Sequence, residues 1–176
     1  MSDHWSEAVH RHFVDAGVAQ VGYVPDAGLT QLIQRCSDDN AIDCVMCATE
    51  EESIGLSAGA YLGGQKSVVL MQSSGVGNTI NAIASLTSSC KFPMFMMVTM
   101  RGEWGEGNPW QVPMGQAVEP VLSAVGVKVL RAETAEDIPA MVEAGLRMAF
   151  SSEEPVAVLV SQKIIGSKVW VASKED

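Results

Sequence analysis

Short apolar segments that suit β-strands alternate with segments of helical spacing along the whole chain. The run from Pro93 to Thr99 is almost wholly apolar, which is typical of a strand that is covered on both faces. Between residues 138 and 150 the apolar side chains recur at the spacing of one helix face. This alternation predicts an α/β fold, a doubly wound three-layer sandwich with a mostly parallel central sheet.

The length of the chain and the same spacing define its organisation. A chain of 176 residues suits one domain, so residues 1–176 are expected to form a single unit. The apolar tail 162–176 is expected either to pack on a partner or to form a final edge strand. The other predicted strands are 18–24, 41–48, 67–72, 127–130 and 156–160. The first two predicted helices carry the apolar faces Trp5, Val9 and Phe13, and Leu29, Leu32 and Ile33. The remaining ones span 53–62, the stretch from the end of loop 72–78 to about 89, and 116–125.

Composition excludes several classes of function. A formal net charge of -10 argues against binding to nucleic acids and to anionic membranes. Apolar runs such as 94–100 are too short to span a bilayer, and the first residues lack the pattern of a signal peptide. Four cysteines in a chain of this size do not form a disulfide scaffold. We therefore expect a cytoplasmic protein with reduced thiols.

Three consecutive carboxylates, Glu50, Glu51 and Glu52, stand between strand 41–48 and helix 53–62. Such a turn lies at the carboxyl edge of a parallel sheet, where open α/β folds bind their ligands. The helix dipole favours acidic residues at a helix N-terminus, which accounts for Glu51 and Glu52. Glu50 directly follows the buried strand and is expected to point into the cleft. It is therefore the first candidate for chemistry.

Two loops at this edge could bind an anion. Segment 72–78, Gln-Ser-Ser-Gly-Val-Gly-Asn, could turn backbone N–H groups toward an anion, or could be no more than a tight turn. It lacks the spacing of a Walker loop or a dinucleotide fingerprint. Arg101 begins a Gly- and Pro-rich loop, where a guanidinium could hold an anionic substrate group. Alternatively, Arg101 pins its own loop through Glu103 or Glu106.

Cysteine and histidine suggest no separate site. Cys44 and Cys47 are three apart in an apolar strand and so face opposite sides, and no second pair completes a zinc site. His10 and His12 do not share a helix face, which favours a surface role for them. The chain also offers no Ser-His-Asp set.

Three motifs occur in order along the chain: the stretch 25–29 (Pro-Asp-Ala-Gly-Leu), Glu50-x8-Gly59 and the loop 72–78. Taken together, they resemble the pyrimidine-binding domain of thiamine diphosphate enzymes. The sulfopyruvate and phosphonopyruvate decarboxylases are the most similar branch. The stretches 101–103 and 111–115 favour the sulfopyruvate decarboxylases, whose α subunits are similar in length.

The resemblance implies a 2-oxo acid decarboxylase, with sulfopyruvate converted to sulfoacetaldehyde and CO2. Glu50 would be the catalytic carboxyl that hydrogen-bonds N1′ of the pyrimidine ring and shares its proton there. A decarboxylase or carboligase for another 2-oxo acid, such as phosphonopyruvate, and a regulatory or assembly domain without activity remain the alternatives. The implied cofactor-binding residues are Pro25, Asp26, Ser73, Ser74, Gly75 and Asn78 beside Glu50, and the implied substrate-binding residues are Arg101 for the distal anion and, with less support, Gln111 and Asn78.

The resemblance also implies a second chain. Relatives hold the diphosphate through Mg2+, which is bound by a Gly-Asp-Gly motif and a later Asn, and no Gly-Asp-Gly occurs here. A β subunit would supply that half of the site, in an assembly of at least α2β2. Many relatives carry a polar residue where this chain has Ala27, so Asp26 or the partner would have to supply any proton transfer made there. The phosphonopyruvate branch also tends to carry a His near Gln111, which this chain lacks.

Overall fold

Six parallel strands form the centre of the molecule in a computed structural model that describes residues 4–166. The strand order is β2-β1-β3-β4-β6-β5, and each neighbouring pair is parallel. The predicted α/β architecture with a parallel sheet is therefore confirmed. The strands are β1 (Val18–Tyr23), β2 (Asp43–Met46), β3 (Lys66–Gln72), β4 (Met94–Thr99), β5 (Lys128–Ala132) and β6 (Pro155–Val160).

Helices cover both faces of the sheet. The elements are α1 (His4–Asp15), α2 (Thr30–Asp38), α3 (Glu50–Leu62), α4 (Ser73–Val76), α5 (Ile80–Ile83) with a π-helical continuation (Ala84–Ser89), a 3-10 turn (Pro109–Gln111) that leads into α6 (Val112–Ala124), α7 (Asp137–Ser151) and α8 (Gln162–Ile165). Helices α1, α2 and α7 pack on one face, and α3, α5 and α6 pack on the other. The three-layer sandwich follows from this division.

Alternation along the central strands builds two separate cores. In β4, Phe95 and Met97 enter the core under α1, α2 and α7. Met94, Met96 and Val98 enter the core under α3, α5 and α6. Because successive side chains of a strand point to opposite faces, a strand that is buried on both faces has to be apolar throughout.

Some element boundaries differ from those predicted. The predicted loop 72–78 contains a short helix, α4, and the helix expected from there to about residue 89 is present as α5 with its π-helical continuation. Helix α6 begins at Val112 rather than at 116 because Pro113 lies in its first turn, where proline costs no hydrogen bond. Strand β2 is shorter than predicted, and it is mostly exposed rather than buried because it lies at the edge of the sheet.

The start of the apolar tail packs on the chain itself. Helix α8 places Ile164 and Ile165 against the core under α1, α2 and α7, and Gln162 is fully buried. The part of the tail from 167 onward lies outside the described residues. Within residues 4–166, no helix is both long enough and apolar enough to cross a membrane.

Candidate active site at the carboxyl edge of the sheet

The structure gathers the predicted residues at one edge of the sheet. Asp26 follows β1, Glu50 follows β2, loop 72–78 follows β3 and Arg101 follows β4. Because these strands are parallel, their carboxyl ends lie together, as in other open α/β folds that bind ligands at this edge.

Helix α3 fixes the position of Glu50. Its N-cap residue Thr49 accepts a hydrogen bond from the Glu52 N–H at 3.4 Å, and the Glu52 carboxylate accepts one from the Ala48 N–H at 2.6 Å. These two hydrogen bonds cap the N-terminus of the helix, which begins at Glu50. The prediction that Glu52 serves the helix terminus is confirmed, and Glu51 is exposed in the same turn.

Small residues bring α3 close to the sheet. A Cβ added at Gly22 of β1 would lie 3.0 Å from the Cβ of Ser53, so glycine is what allows this approach. Gly59, in contrast, faces open space, because an added Cβ would have no described atom within 4 Å apart from its chain neighbours and the backbone of its own helix. Within this chain, therefore, packing does not require a glycine at 59.

The Glu50 carboxylate lies against loop 72–78. A Cβ added at Gly75 would overlap the carboxyl group of Glu50. Asn78 donates a hydrogen bond from Nδ2 to Oε2 of Glu50 at 3.3 Å. Glu50 itself is half-buried. The loop thus approaches the carboxyl group closely and leaves part of it accessible.

A chain of hydrogen bonds joins the ends of β1, β3 and β4. Asp26 accepts one bond from the Thr99 hydroxyl at 2.6 Å and another from Nε2 of Gln72 at 3.0 Å. Oε1 of Gln72 accepts bonds from the Ser74 hydroxyl at 3.0 Å and from Nε2 of Gln111 at 3.1 Å. With both oxygens of Asp26 engaged, its main role in the structure is to link three strand ends.

Sequence reasoning missed Gln72 and Thr99 as site residues. Each is the last residue of its strand, and that position is the signal that could have identified them. The chain of hydrogen bonds described above ends at Oε1 of Gln111, which is buried and has no hydrogen-bond partner among the described residues. A buried carbonyl without a donor costs about 1–3 kcal/mol.

Ser73 and Ser74 are neighbours with different surroundings. Ser73 is fully buried, and its hydroxyl accepts a hydrogen bond from the Arg101 N–H at 3.0 Å. It therefore ties the end of β3 to the end of β4 rather than facing the cleft. Ser74 is exposed and bonded to Gln72.

Arg101 is buried and paired with a carboxylate. Its Nε and Nη2 atoms each donate to a different oxygen of Glu106 at 2.8 Å, and the residue is 6% exposed. The side chain of Gln162 adds a bond to Glu106 at 2.9 Å and accepts from the N–H groups of Glu103 and Trp104 at 3.0 Å. The expected alternative, an Arg101 that pins its loop through Glu106, is present.

The cysteines of the Cys44-x-x-Cys47 motif are not poised for reaction. Burial raises the pKa of Cys44 to about 11, and burial also raises the pKa of Cys47. Both thiols therefore stay protonated near neutral pH, whereas metal binding and nucleophilic attack need the thiolate. No group of three or more His, Cys, Asp or Glu side chains that could hold a metal ion occurs between residues 4 and 166.

Comparison with known proteins identifies the class. The family model for the N-terminal TPP binding domain of thiamine pyrophosphate enzymes matches residues 4–121. The chain therefore belongs to the thiamine pyrophosphate enzymes, and the resemblance predicted from the sequence is confirmed.

Individual relatives narrow the class. The sulfopyruvate decarboxylase subunit alpha of Methanococcus maripaludis is 37% identical over 155 residues, which cover 88% of this chain and 93% of the relative. The sulfopyruvate decarboxylase of Methanosarcina acetivorans is 38% identical over 125 residues, which cover 71% of this chain but 31% of that longer protein.

A solved structure shows the same fold. The 2-oxoglutarate:ferredoxin oxidoreductase of Magnetococcus marinus, solved with 2-oxoglutarate, coenzyme A and succinyl-CoA bound, superposes with a TM-score of 0.69 at 18% identity. The alignment covers 96% of this chain and 33% of that one. At this level of identity the likeness concerns the fold alone.

The residues at this edge fit the aminopyrimidine half of thiamine diphosphate. A ring nitrogen that gains a proton needs a carboxyl partner, and Glu50 is a partly accessible carboxyl at the site. Gly75 supplies a surface without a side chain directly beside it. The glycine lets loop and carboxyl group come together where a flat ring could contact both.

Proposed function

We propose that this chain is the α subunit of a thiamine diphosphate-dependent sulfopyruvate decarboxylase, which forms sulfoacetaldehyde and CO2 together with a β subunit. The observation that carries this proposal is the Glu50 carboxyl group, held against Gly75 at the carboxyl edge of the sheet. Its support comes from the family match and from relatives that are named sulfopyruvate decarboxylases.

Each residue near Glu50 has a separate task in this mechanism. When bound, thiamine diphosphate supplies a carbon nucleophile and an electron sink for the loss of CO2. Glu50 would hold a proton shared with N1′ of the pyrimidine ring. Asn78 would orient the Glu50 carboxyl through its amide, and Gly75 would let the ring approach. Pro25, Asp26, Ser73 and Ser74 stay predicted cofactor residues, of which Ser74 is the exposed hydroxyl.

The β subunit is proposed to hold the diphosphate and Mg2+, in an assembly of at least α2β2 in the cytoplasm. Two findings support a divided site. Relatives of matching length carry the name subunit alpha. The longer sulfopyruvate decarboxylase aligns with this chain over less than a third of its own length, which leaves room for a second domain.

Substrate recognition is a further part of the proposal. Arg101 stays a predicted ligand of the distal sulfonate, although its pairing with Glu106 supports a role in loop structure instead. Replacing Arg101 by Ala in the complex separates the two roles. If Arg101 binds the substrate, the substitution raises KM for sulfopyruvate far more than KM for pyruvate. If Arg101 anchors its loop, the substitution affects both substrates alike. A panel that includes phosphonopyruvate tests the alternative substrates.

Replacement of Glu50 by Gln tests the central assignment. The amide keeps the shape but cannot share its proton, so kcat of the complex of both subunits should fall about a thousandfold. The matched control is Glu51→Gln at the exposed neighbour, which should keep normal activity. CO2 release close to normal in Glu50→Gln would refute the catalytic role. A complex that releases no CO2 from any 2-oxo acid would favour a regulatory domain.

A further inference from the structure

Asp26 imposes a direction on the hydrogen bonds that lead to Gln111. A carboxylate can only accept hydrogen bonds. Its neighbour Gln72, at 3.0 Å, must therefore present its NH2 group to Asp26 and its carbonyl to the other side. The hydroxyl of Thr99 occupies the second oxygen of Asp26 and holds the carboxylate in place.

The direction continues to the end of the chain of bonds. Because the Gln72 carbonyl faces Gln111, it is the NH2 group of Gln111 that points back toward it, at 3.1 Å. The Gln111 carbonyl is left as the free end, buried and without a partner among the described residues. Within residues 4–166 the structure thus contains one buried side-chain acceptor without a donor, and Asp26 sets its orientation through Gln72.

The ligands of the proposed reaction differ in what they could give such an acceptor. A 2-oxo acid with a second anionic group carries only acceptors at neutral pH. The aminopyrimidine ring of the cofactor carries an amino group with two N–H bonds. A carbonyl that needs a donor therefore suits the cofactor and does not suit the substrate.

We propose that Gln111 accepts a hydrogen bond from the amino group of the aminopyrimidine ring, and that Asp26 and Gln72 are positioning residues that turn the Gln111 carbonyl toward it. This inference rests on the proposed function. It moves Gln111 from the substrate-binding role predicted from the sequence to the cofactor. Both side chains adjoin segment 72–75, because Glu50 lies against Gly75 and Gln111 is hydrogen-bonded to Gln72.

The affinities of two cofactors test this inference without measuring turnover. The probes are thiamine diphosphate and its 4′-oxo analogue, in which oxygen replaces the amino nitrogen, titrated by calorimetry into the complex of this chain with its partner. Gln111→Met removes the acceptor and keeps the side-chain length. It should weaken the affinity for thiamine diphosphate about five- to tenfold and change the affinity for the analogue by less than about twofold.

Variants of the positioning residues should act in the same way. Asn can donate as well as accept, so Asp26→Asn no longer holds Gln72 in one orientation, and the preference for thiamine diphosphate should shrink. Gln72→Met breaks the connection directly and serves if Asp26→Asn does not fold. Gln65→Met is the matched control, because Gln65 is exposed beside the opposite end of β3. It should leave both affinities unchanged.

The outcomes separate this inference from the proposed function. If the unmodified complex binds thiamine diphosphate and Gln111→Met weakens both cofactors equally, or neither, the role of Gln111 is refuted. If Gln111→Met loses the preference while Asp26→Asn and Gln72→Met both keep it, the positioning role is refuted. A complex that binds neither cofactor refutes the proposed function itself.

Discussion

Two glutamates at the same edge of the sheet have opposite surroundings. The Glu106 side chain is 3% exposed and accepts hydrogen bonds from the Arg101 guanidinium, the Gln162 amide and the N–H groups of Gly102 and Asn108. Glu50 is half-buried, and within residues 4–166 its carboxylate accepts one hydrogen bond, from Asn78 at 3.3 Å.

The difference separates a carboxylate that serves the structure from one that the protein leaves available to a ligand. The hydrogen bonds from Arg101 lead the effects that lower the pKa of Glu106 to about 2, so this group stays an anion and anchors its loop. A carboxyl that exchanges a proton with a ligand needs lone pairs that the protein leaves open. Glu50 has them and Glu106 does not.

The largest effect on stability is expected from Glu106→Gln. The substitution leaves the Arg101 guanidinium buried without its counter-charge, which should lower the free energy of unfolding by about 3–5 kcal/mol. Urea denaturation followed by circular dichroism measures this. The exposed Glu51→Gln should change it by less than about 0.5 kcal/mol. A loss below about 1 kcal/mol in Glu106→Gln would contradict the view of Glu106 as a structural anion.

Acid should remove the same stabilisation gradually. The pKa of Glu106 falls from 4.5 to about 2 on folding, so its contribution is complete above 4.5 and is lost as the pH drops toward 2. The full contribution is about 3 kcal/mol. Stability measured between about pH 5 and pH 2 should decline more steeply in the unmodified chain than in Glu106→Gln. Parallel curves would show that another group causes the acid sensitivity.

Gly75→Ala should lower the activity that depends on Glu50 while leaving the free energy of unfolding nearly unchanged. The added methyl group overlaps the end of the Glu50 side chain, which can swing away at little cost but then leaves its position. We expect kcat of the complex to fall about a hundredfold, equivalent to about 2.7 kcal/mol. In the control Gly77→Ala, the methyl group meets the flexible end of Met114 at 3.1 Å. Equal effects of the two variants would remove Gly75 from the site.

Asn78→Ala should have the smallest effect. It removes a long hydrogen bond at an exposed position, so the orientation of Glu50 is loosened rather than lost. A decrease in kcat of about fivefold is expected. Asn81→Ala, a nearby exposed asparagine, is the matched control. A decrease as large as that of Glu50→Gln would mean that Asn78 takes part in the chemistry.

The fold was predictable because it depends on a pattern that the chain carries locally. Apolar runs such as 94–99 must be covered on both faces, and their alternation with helices leaves few arrangements other than a parallel sheet. The start of α6 and the short helix α4 inside the loop after β3 were less accessible. They depend on how Pro113 and the glycines at 75 and 77 fit their surroundings, and not on hydrophobic spacing.

The site was predictable in part. Glu50 stood out because a carboxylate between a strand and the following helix lies at the carboxyl edge of a parallel sheet, although β2 is a mostly exposed edge strand. Gln72 and Thr99 did not, since polar residues at strand ends are common and their connection to Asp26 joins positions 46 and 73 residues apart. Sequence spacing carries no information about such pairings.

By itself the sequence determined the class of fold, the edge where the candidate residues meet and the first candidate for catalysis, because these follow from periodicity and from the order of strands. Only the tertiary structure decided which carboxylates are hydrogen-bonded by other groups of the protein and which are left open. Arg101 could have faced a substrate or its own loop, and the choice depended on where Glu106 and Gln162 came to lie. Hydrogen bonding of buried polar groups is satisfied in three dimensions, so the partner of each group is settled only when the chain has folded.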